Sequence, residues 1–324
     1  MKKRLVIQGR LSDTQLAELS DLFEVKVLPK ETPLDAPENR TLLAQAHGII
    51  GSGLAITPPL LDAAPNLNVI ATISVGYDNI PVDELTKRGI MLCNTPDVLT
   101  ETTADTGFAL MMATARRVVE LAEWVKANEW QASIGPALFG SDVHGKTLGM
   151  VGFGRIGQAV ARRGALGFGM QVLYSNASPK PDVESELGAQ RRELNELLAE
   201  ADFVCVTVPL TAETEHLIGA QELARMKPTG IFINIARGKV VDESALIHAL
   251  ENGVIQAAGL DVFAQEPLPA SSPLPMMTNV VALPHIGSAT HETREAMAQR
   301  AVDNIRLALQ GERPISLVNE EAYR

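Results

Sequence analysis

The sequence predicts an α/β protein of two doubly wound domains, and three observations carry that reading. Short apolar runs alternate with segments of helical period along most of the 324 residues. The alternation stops at a long helical stretch and a Gly-, Pro- and Ser-containing loop, then restarts at Thr147. The strand that restarts it leads straight into Gly152-Phe153-Gly154-Arg155-Ile156-Gly157, which opens a helical segment. Glycine spacing alone is weak, but between a strand and a helix it is the fingerprint of a dinucleotide-binding Rossmann turn.

In the first half, residues 4–8, 24–28, 48–52, 69–73 and 90–93 read as strands. The intervening stretches 13–23, 39–46, 58–63 and 82–88 read as helices. Such alternation implies a parallel sheet covered on both faces. No turn in this half carries the glycine fingerprint. The turn Ser74-Val75-Gly76-Tyr77 stands out because it follows a strand, and its N–H groups are suited to holding a carboxylate. Residues 101–128 then read as one long helix without an internal break, apolar on more than one face. That pattern suits a helix buried between domains or at a subunit interface.

In the second half, the strands are predicted at 147–151, 171–174, 203–208, 230–235, 256–260 and 280–283. Helices are predicted at 158–166, 194–200, 220–226 and 243–252. A last helix, 291–310, follows a sheet that is already complete, so it is expected to return to the first domain. The predicted boundaries are therefore 1–99 with 288–324 for one discontinuous domain, and 100–287 for the other.

A formal net charge of −11 excludes nucleic acid or an anionic membrane as the main partner, since both need a basic footprint. It leaves a small anionic substrate open, because a few local cations can reverse the field in a cleft. The two cysteines, Cys93 and Cys205, sit in apolar runs and read as buried residues of a reducing compartment. No metal-ligand spacing is present. The apolar run after the basic N-terminus is too short for a signal peptide, and no other run spans a bilayer, so a cytoplasmic location is expected.

The glycine turn assigns three jobs: Gly152 turns the chain, Gly154 admits a pyrophosphate, and Gly157 lets helix pack on strand. NAD-binding units usually end their second strand with an acid that bonds the ribose 2′-hydroxyl. Ser175 stands there instead, and Ser175, Asn176, Ser178 and Lys180 can donate to a 2′-phosphate. NADP(H) is therefore the preferred cofactor and NAD(H) the lesser one, although no arginine directly follows the strand.

Three later loops also follow strands and carry one Arg, one Glu and one His: Asn234–Gly238, Gly259–Leu268 and Pro284–Thr290. Hydride transfer to a keto acid needs those types. A guanidinium grips the substrate carboxylate, an imidazole exchanges a proton with the reacting oxygen, and a carboxylate orients the ring. Of the six histidines only His285 has this company.

With these motifs in this order, the chain resembles the D-isomer-specific 2-hydroxyacid dehydrogenase family over essentially its whole length. The resemblance implies a Rossmann cofactor domain and a flavodoxin-like, discontinuous substrate domain. It implies NADPH-dependent reduction of small 2-keto acids (glyoxylate, hydroxypyruvate, 2-keto-D-gluconate) to D-2-hydroxy acids. His285 would be the general acid, Glu266 its partner, and Arg237 the carboxylate anchor, with Val75 and Gly76 main chain completing that site. Arg155 and Ile156 would lie on the pyrophosphate, Pro209, Ala236 and Asp261 along the nicotinamide side, and Ile235 and Gly287 would also bind the cofactor. A homodimer held by the first helices of the cofactor domain is also implied. The rivals are a 3-phosphoglycerate or D-lactate dehydrogenase of the same family, and a non-catalytic, dinucleotide-sensing corepressor-like scaffold.

Overall fold

The computed structural model describes residues 2–323. By internal contacts the chain divides into two units, Met1–Leu99 with Ala289–Arg324, and Thr100–Ser288. In chain order the first unit contains β1 (Arg4–Gln8), α1 (Asp13–Leu22), β2 (Glu24–Leu28), α2 (Arg40–Leu43) and β3 (Gly48–Gly51). It continues with α3 (Pro58–Ala63), β4 (Val69–Thr72), α4 (Val82–Lys87) and β5 (Met91–Cys93). The second begins with α5 (Thr100–Ala115), α6 (Val118–Lys126), β6 (Thr147–Val151), α7 (Arg155–Arg162) and β7 (Gln171–Ser175). Then come α8 (Pro181–Leu187), β8 (Gln190–Arg191), α9 (Leu194–Glu200), β9 (Phe203–Val206) and α10 (Ala220–Leu223). It closes with β10 (Ile231–Asn234), α11 (Glu243–Glu251), β11 (Ala257–Leu260) and β12 (Val280–Ala282). The last helix, α12 (His291–Gln310), packs on β3, β4, β5 and α1 of the first unit.

Both sheets are wholly parallel, in the orders β2-β1-β3-β4-β5 and β12-β11-β10-β9-β6-β7-β8. Strands β3, β4, β9, β10 and β11 are buried at every residue, which is why they read as nearly continuous apolar runs. Helix starts follow local chemistry. Ser12 and Gln15 form a capping box on α1, Asp242 accepts from Ala245 N–H on α11, and Thr290 accepts from Thr293 N–H on α12. In the second sheet the strand order reverses between β6 and β9, so the glycine turn after β6 sits at the topological switch point. Burial pushes both cysteine thiols up to about 12, leaving them unreactive at neutral pH. Among the described residues no helix is long and apolar enough to cross a membrane.

The structure corrects two sequence expectations. The predicted helix 101–128 is two helices, α5 and α6, divided at Arg117, whose φ is +54°. No glycine or proline marks that break. The returning loop causes it: Ser141 N–H takes the Ala115 carbonyl at 2.8 Å, and Arg117 bonds Glu120 and the Ala137 carbonyl. Only α5 is buried, whereas no residue of α6 is. The second correction is at the far edge of the sheet, where α8 and the two-residue strand β8 extend it to seven strands rather than six. Two residues are too short a run to show alternation in sequence.

Candidate active site

The site in the second unit grows from the carboxyl ends of β6, β7, β10, β11 and β12. At β6, Gly152 has φ +91°, a conformation that favours glycine. A Cβ at Gly157 would lie 2.5 Å from the Gly152 carbonyl and 2.8 Å from Thr207 Oγ1, so α7 packs directly on the turn. A Cβ at Gly154 would meet nothing within 4 Å, and it would stand in the open space that a pyrophosphate needs. Gly154 caps α7 without a side-chain hydrogen bond, and Arg155 and Ile156 form the first helical turn. These features fit a dinucleotide pyrophosphate at the helix start.

Three side chains hold that turn, and sequence reading gave two of them no role. Gln158 Nε2 donates to the Phe153 carbonyl at 3.0 Å, and Thr207 Oγ1 donates to the Gly152 carbonyl at 2.9 Å. The third, Asn176, accepts from Phe153 N–H at 3.0 Å and donates to the Ser178 carbonyl at 2.9 Å. Asn176 is thus committed to loop structure on both ends of its amide. The Ser175 carbonyl takes Gly152 N–H, and Lys180 N–H bonds the Tyr174 hydroxyl at 2.9 Å. Pro209, after β9, accepts from Thr214 Oγ1.

After β10, the buried Asn234 shapes the turn carrying Arg237. Its Oδ1 accepts from Ala236 N–H and its Nδ2 donates to the Arg237 carbonyl, both at 3.0 Å. Ile235 packs toward α5, where a Cβ at Gly107 would come within 2.6 Å of its Cδ1. Gly238 then lies against the β11 loop so closely that a Cβ would sit 1.8 Å from the Phe263 carbonyl carbon. That contact ties the Arg237 turn to the segment bearing Glu266.

Glu266 and His285 meet directly. Glu266 Oε2 lies 2.7 Å from His285 Nδ1, and Glu266 Oε1 accepts from Phe263 N–H at 3.0 Å. The ring therefore turns Nε2 outward, and its side chain is 47% exposed. Burial pushes the Glu266 carboxyl up. The hydrogen bonds from His285 and Phe263 and the nearby charges of His285 and Arg237 outweigh it and hold Glu266 below its ordinary range. His285 has φ +55°, an uncommon value for a side-chain-bearing residue. Asp261 secures it: the next two N–H groups, of Ile286 and Gly287, donate to its two carboxylate oxygens at 2.7 and 2.8 Å. Burial raises the Asp261 carboxyl despite those two bonds. Asp261 and Gly287 thus act as the brace behind the histidine.

In the first unit, the turn after β4 is organised through its carbonyls. Ser74 O accepts from Thr95 N–H, Val75 O from Asn94 Nδ2 and Gly76 O from Ser74 Oγ. No hydrogen bond from the N–H of Val75 or Gly76 occurs among the described residues. These two groups are therefore available to an anion.

A doubly wound sheet with an open glycine turn at its switch point, and a His–Glu pair beside an arginine on neighbouring strand ends, defines a dinucleotide-dependent α/β enzyme. Comparison with known proteins makes this specific. Residues 108–287 match the NAD binding domain of the D-isomer specific 2-hydroxyacid dehydrogenases. The chain is 53% identical over 324 residues, all of both chains, to glyoxylate/hydroxypyruvate reductase B of Escherichia fergusonii. Among solved structures, an NADPH-dependent glyoxylate/hydroxypyruvate reductase from Sinorhizobium meliloti, in complex with NADP and malonate, is similar at TM-score 0.89 and 34% identity. That match covers 100% of this chain and 99% of the other. The TT0316 protein from Thermus thermophilus is similar at TM-score 0.89 and 42% identity, covering 97% of this chain and 99% of the other. The chain belongs to the D-isomer-specific 2-hydroxyacid dehydrogenase family and is an oxidoreductase.

Proposed function

We propose that this protein reduces small 2-keto acids, glyoxylate and hydroxypyruvate foremost, to D-2-hydroxy acids with NADPH. The His285–Glu266 pair at 2.7 Å, within the field of Arg237, carries the reading. Relatives named for those two substrates, at about half identity over the full chain, support the substrate class. When bound, the reduced nicotinamide supplies the hydride that turns the keto carbon into an alcohol carbon. His285 Nε2 gives its proton to the carbonyl oxygen as negative charge develops there. Glu266, at Nδ1, fixes the orientation of the ring. Arg237 binds the substrate carboxylate, and the Val75 and Gly76 N–H groups of the first unit are a further candidate for carboxylate binding. Gly152, Gly154, Gly157, Arg155 and Ile156 hold the pyrophosphate. Asp261 and Gly287 keep the His285 loop in place.

The test is the initial rate of NADPH and NADH oxidation with hydroxypyruvate, glyoxylate and 2-ketogluconate. Rapid oxidation of NADPH with the first two is expected. No turnover with any pair, in protein that binds the dinucleotide, would move the reading to a sensing scaffold. Arg237→Ala is expected to raise the KM for hydroxypyruvate about a hundredfold, since a charge-assisted, two-pronged grip is lost. An unchanged KM would remove Arg237 from the carboxylate site.

We also propose a homodimer through the α6 region. Val118, Val119 and Val125 are 53%, 45% and 47% exposed, and Trp130 and Phe139, further on, are 61% and 57% exposed. Val118 and Val125 stand seven residues apart and share a helix face. Such apolar exposure marks an interaction surface. The double variant Val118→Asp, Val125→Asp is expected to run as a monomer by light scattering where the parent runs as a dimer. A parent that is itself monomeric would refute the assignment.

A further inference from the structure

Ser175 leaves the end of β7 without the acid that would bind a ribose 2′-hydroxyl, and no basic residue stands between it and Lys180. The fold brings one from elsewhere. Strand β8 pairs parallel to β7, with Arg191 opposite Tyr174. Arg191 Nη2 donates to the carbonyls of Asn176 and Ala177 at 3.1 and 3.3 Å, so its guanidinium lies over the turn that follows Ser175.

The charge there is unmatched. Both acceptors are neutral carbonyls, and Arg191 makes no ion pair among the described residues. Its neighbours differ: Arg192 pairs with Glu200 at 3.2 Å and Arg162 with Glu186 at 2.8 Å. One nitrogen of Arg191 anchors the side chain to the turn. Nε and Nη1 make no hydrogen bond among the described residues, and each retains N–H donors that can be given to a phosphate oxygen. Asn176, by contrast, has its amide oxygen and one of its two amide N–H groups engaged within the loop.

We propose that Arg191, reaching across from the edge strand, reads the adenosine 2′-phosphate and sets the preference for NADP(H). The inference rests on the NADPH reading above and names the residue that carries it. The experiment is calorimetric binding of adenosine 2′,5′-bisphosphate and of adenosine 5′-monophosphate to the full-length protein and to Arg191→Ala. Neither probe contains nicotinamide, so the result is independent of turnover. The parent is expected to bind the bisphosphate more tightly than the monophosphate. Arg191→Ala is expected to lose about ten- to a hundredfold affinity for the bisphosphate, with monophosphate affinity within about twofold of the parent. A variant that still prefers the bisphosphate as strongly as the parent overturns the role of Arg191 and leaves the NADPH reading standing. A parent with no preference between the probes overturns the NADPH reading, and Arg191 loses its role with it.

Discussion

His285→Gln is expected to lower kcat for hydroxypyruvate by about two to four orders of magnitude, the usual worth of a positioned general acid. Glutamine is the informative replacement because it can still donate to Glu266, which otherwise would keep a half-buried carboxylate without its partner. It cannot deliver a proton from the place of Nε2. The backbone there has φ +55°, held by the two bonds to Asp261, and glutamine, which is not β-branched, adopts that conformation at only a modest cost over histidine. Thermal stability should therefore fall little. NADPH affinity should change less than kcat, because the side-chain hydrogen bonds of Gln158, Thr207 and Asn176 that hold the glycine turn run to Gly152 and Phe153 and not through His285. The measurement is kcat and KM beside a melting curve and an NADPH titration. Turnover within about threefold of the parent would show that another group supplies the proton.

How far the sequence could be read depended on the range of the interaction. Buried strands such as β3, β4 and β10 announce themselves because both faces are covered and their residues are mostly apolar. The glycine turn was legible because its constraints lie within six residues. The Arg, Glu and His of the site were legible through their places after strands. The division of α5 from α6 was not, since the group that ends α5 is the N–H of Ser141, across a loop. The braces were hidden for the same reason. Asn234 and Asp261 look like ordinary strand-end polar residues until the turns they hold are seen. Arg191 was hidden most deeply, because a two-residue strand leaves no period to read, and only sheet pairing puts it beside Ser175.

Gly238→Ala is expected to damage the site more broadly than any single catalytic substitution except that of His285. The new methyl group would lie 1.8 Å from the Phe263 carbonyl carbon, 2.0 Å from its oxygen and 2.3 Å from Ala264 N. These are backbone atoms, which cannot rotate away as a side chain can, so the two loops must part by about 1.5 Å to reach ordinary contact. Phe263 N–H is the donor that holds Glu266 Oε1, and Ala264 N–H is anchored on Glu243. Parting the loops therefore moves the carboxylate that orients His285, on one side, and the turn of Arg237, on the other. A displacement of about 1 Å in such a constellation costs on the order of a hundredfold in rate. Overpacking of this kind costs about 1–3 kcal/mol or more in stability. Gly238→Ala should thus lower kcat at least about a hundredfold and lower the melting temperature, while NADPH still binds at the separate glycine turn. Gly154→Ala makes the contrast, because its methyl group meets no protein atom within 4 Å. That variant should keep its melting temperature and lose dinucleotide affinity instead. If Gly238→Ala kept both its stability and its turnover, the close approach of the Arg237 and Glu266 loops would not be what aligns the site.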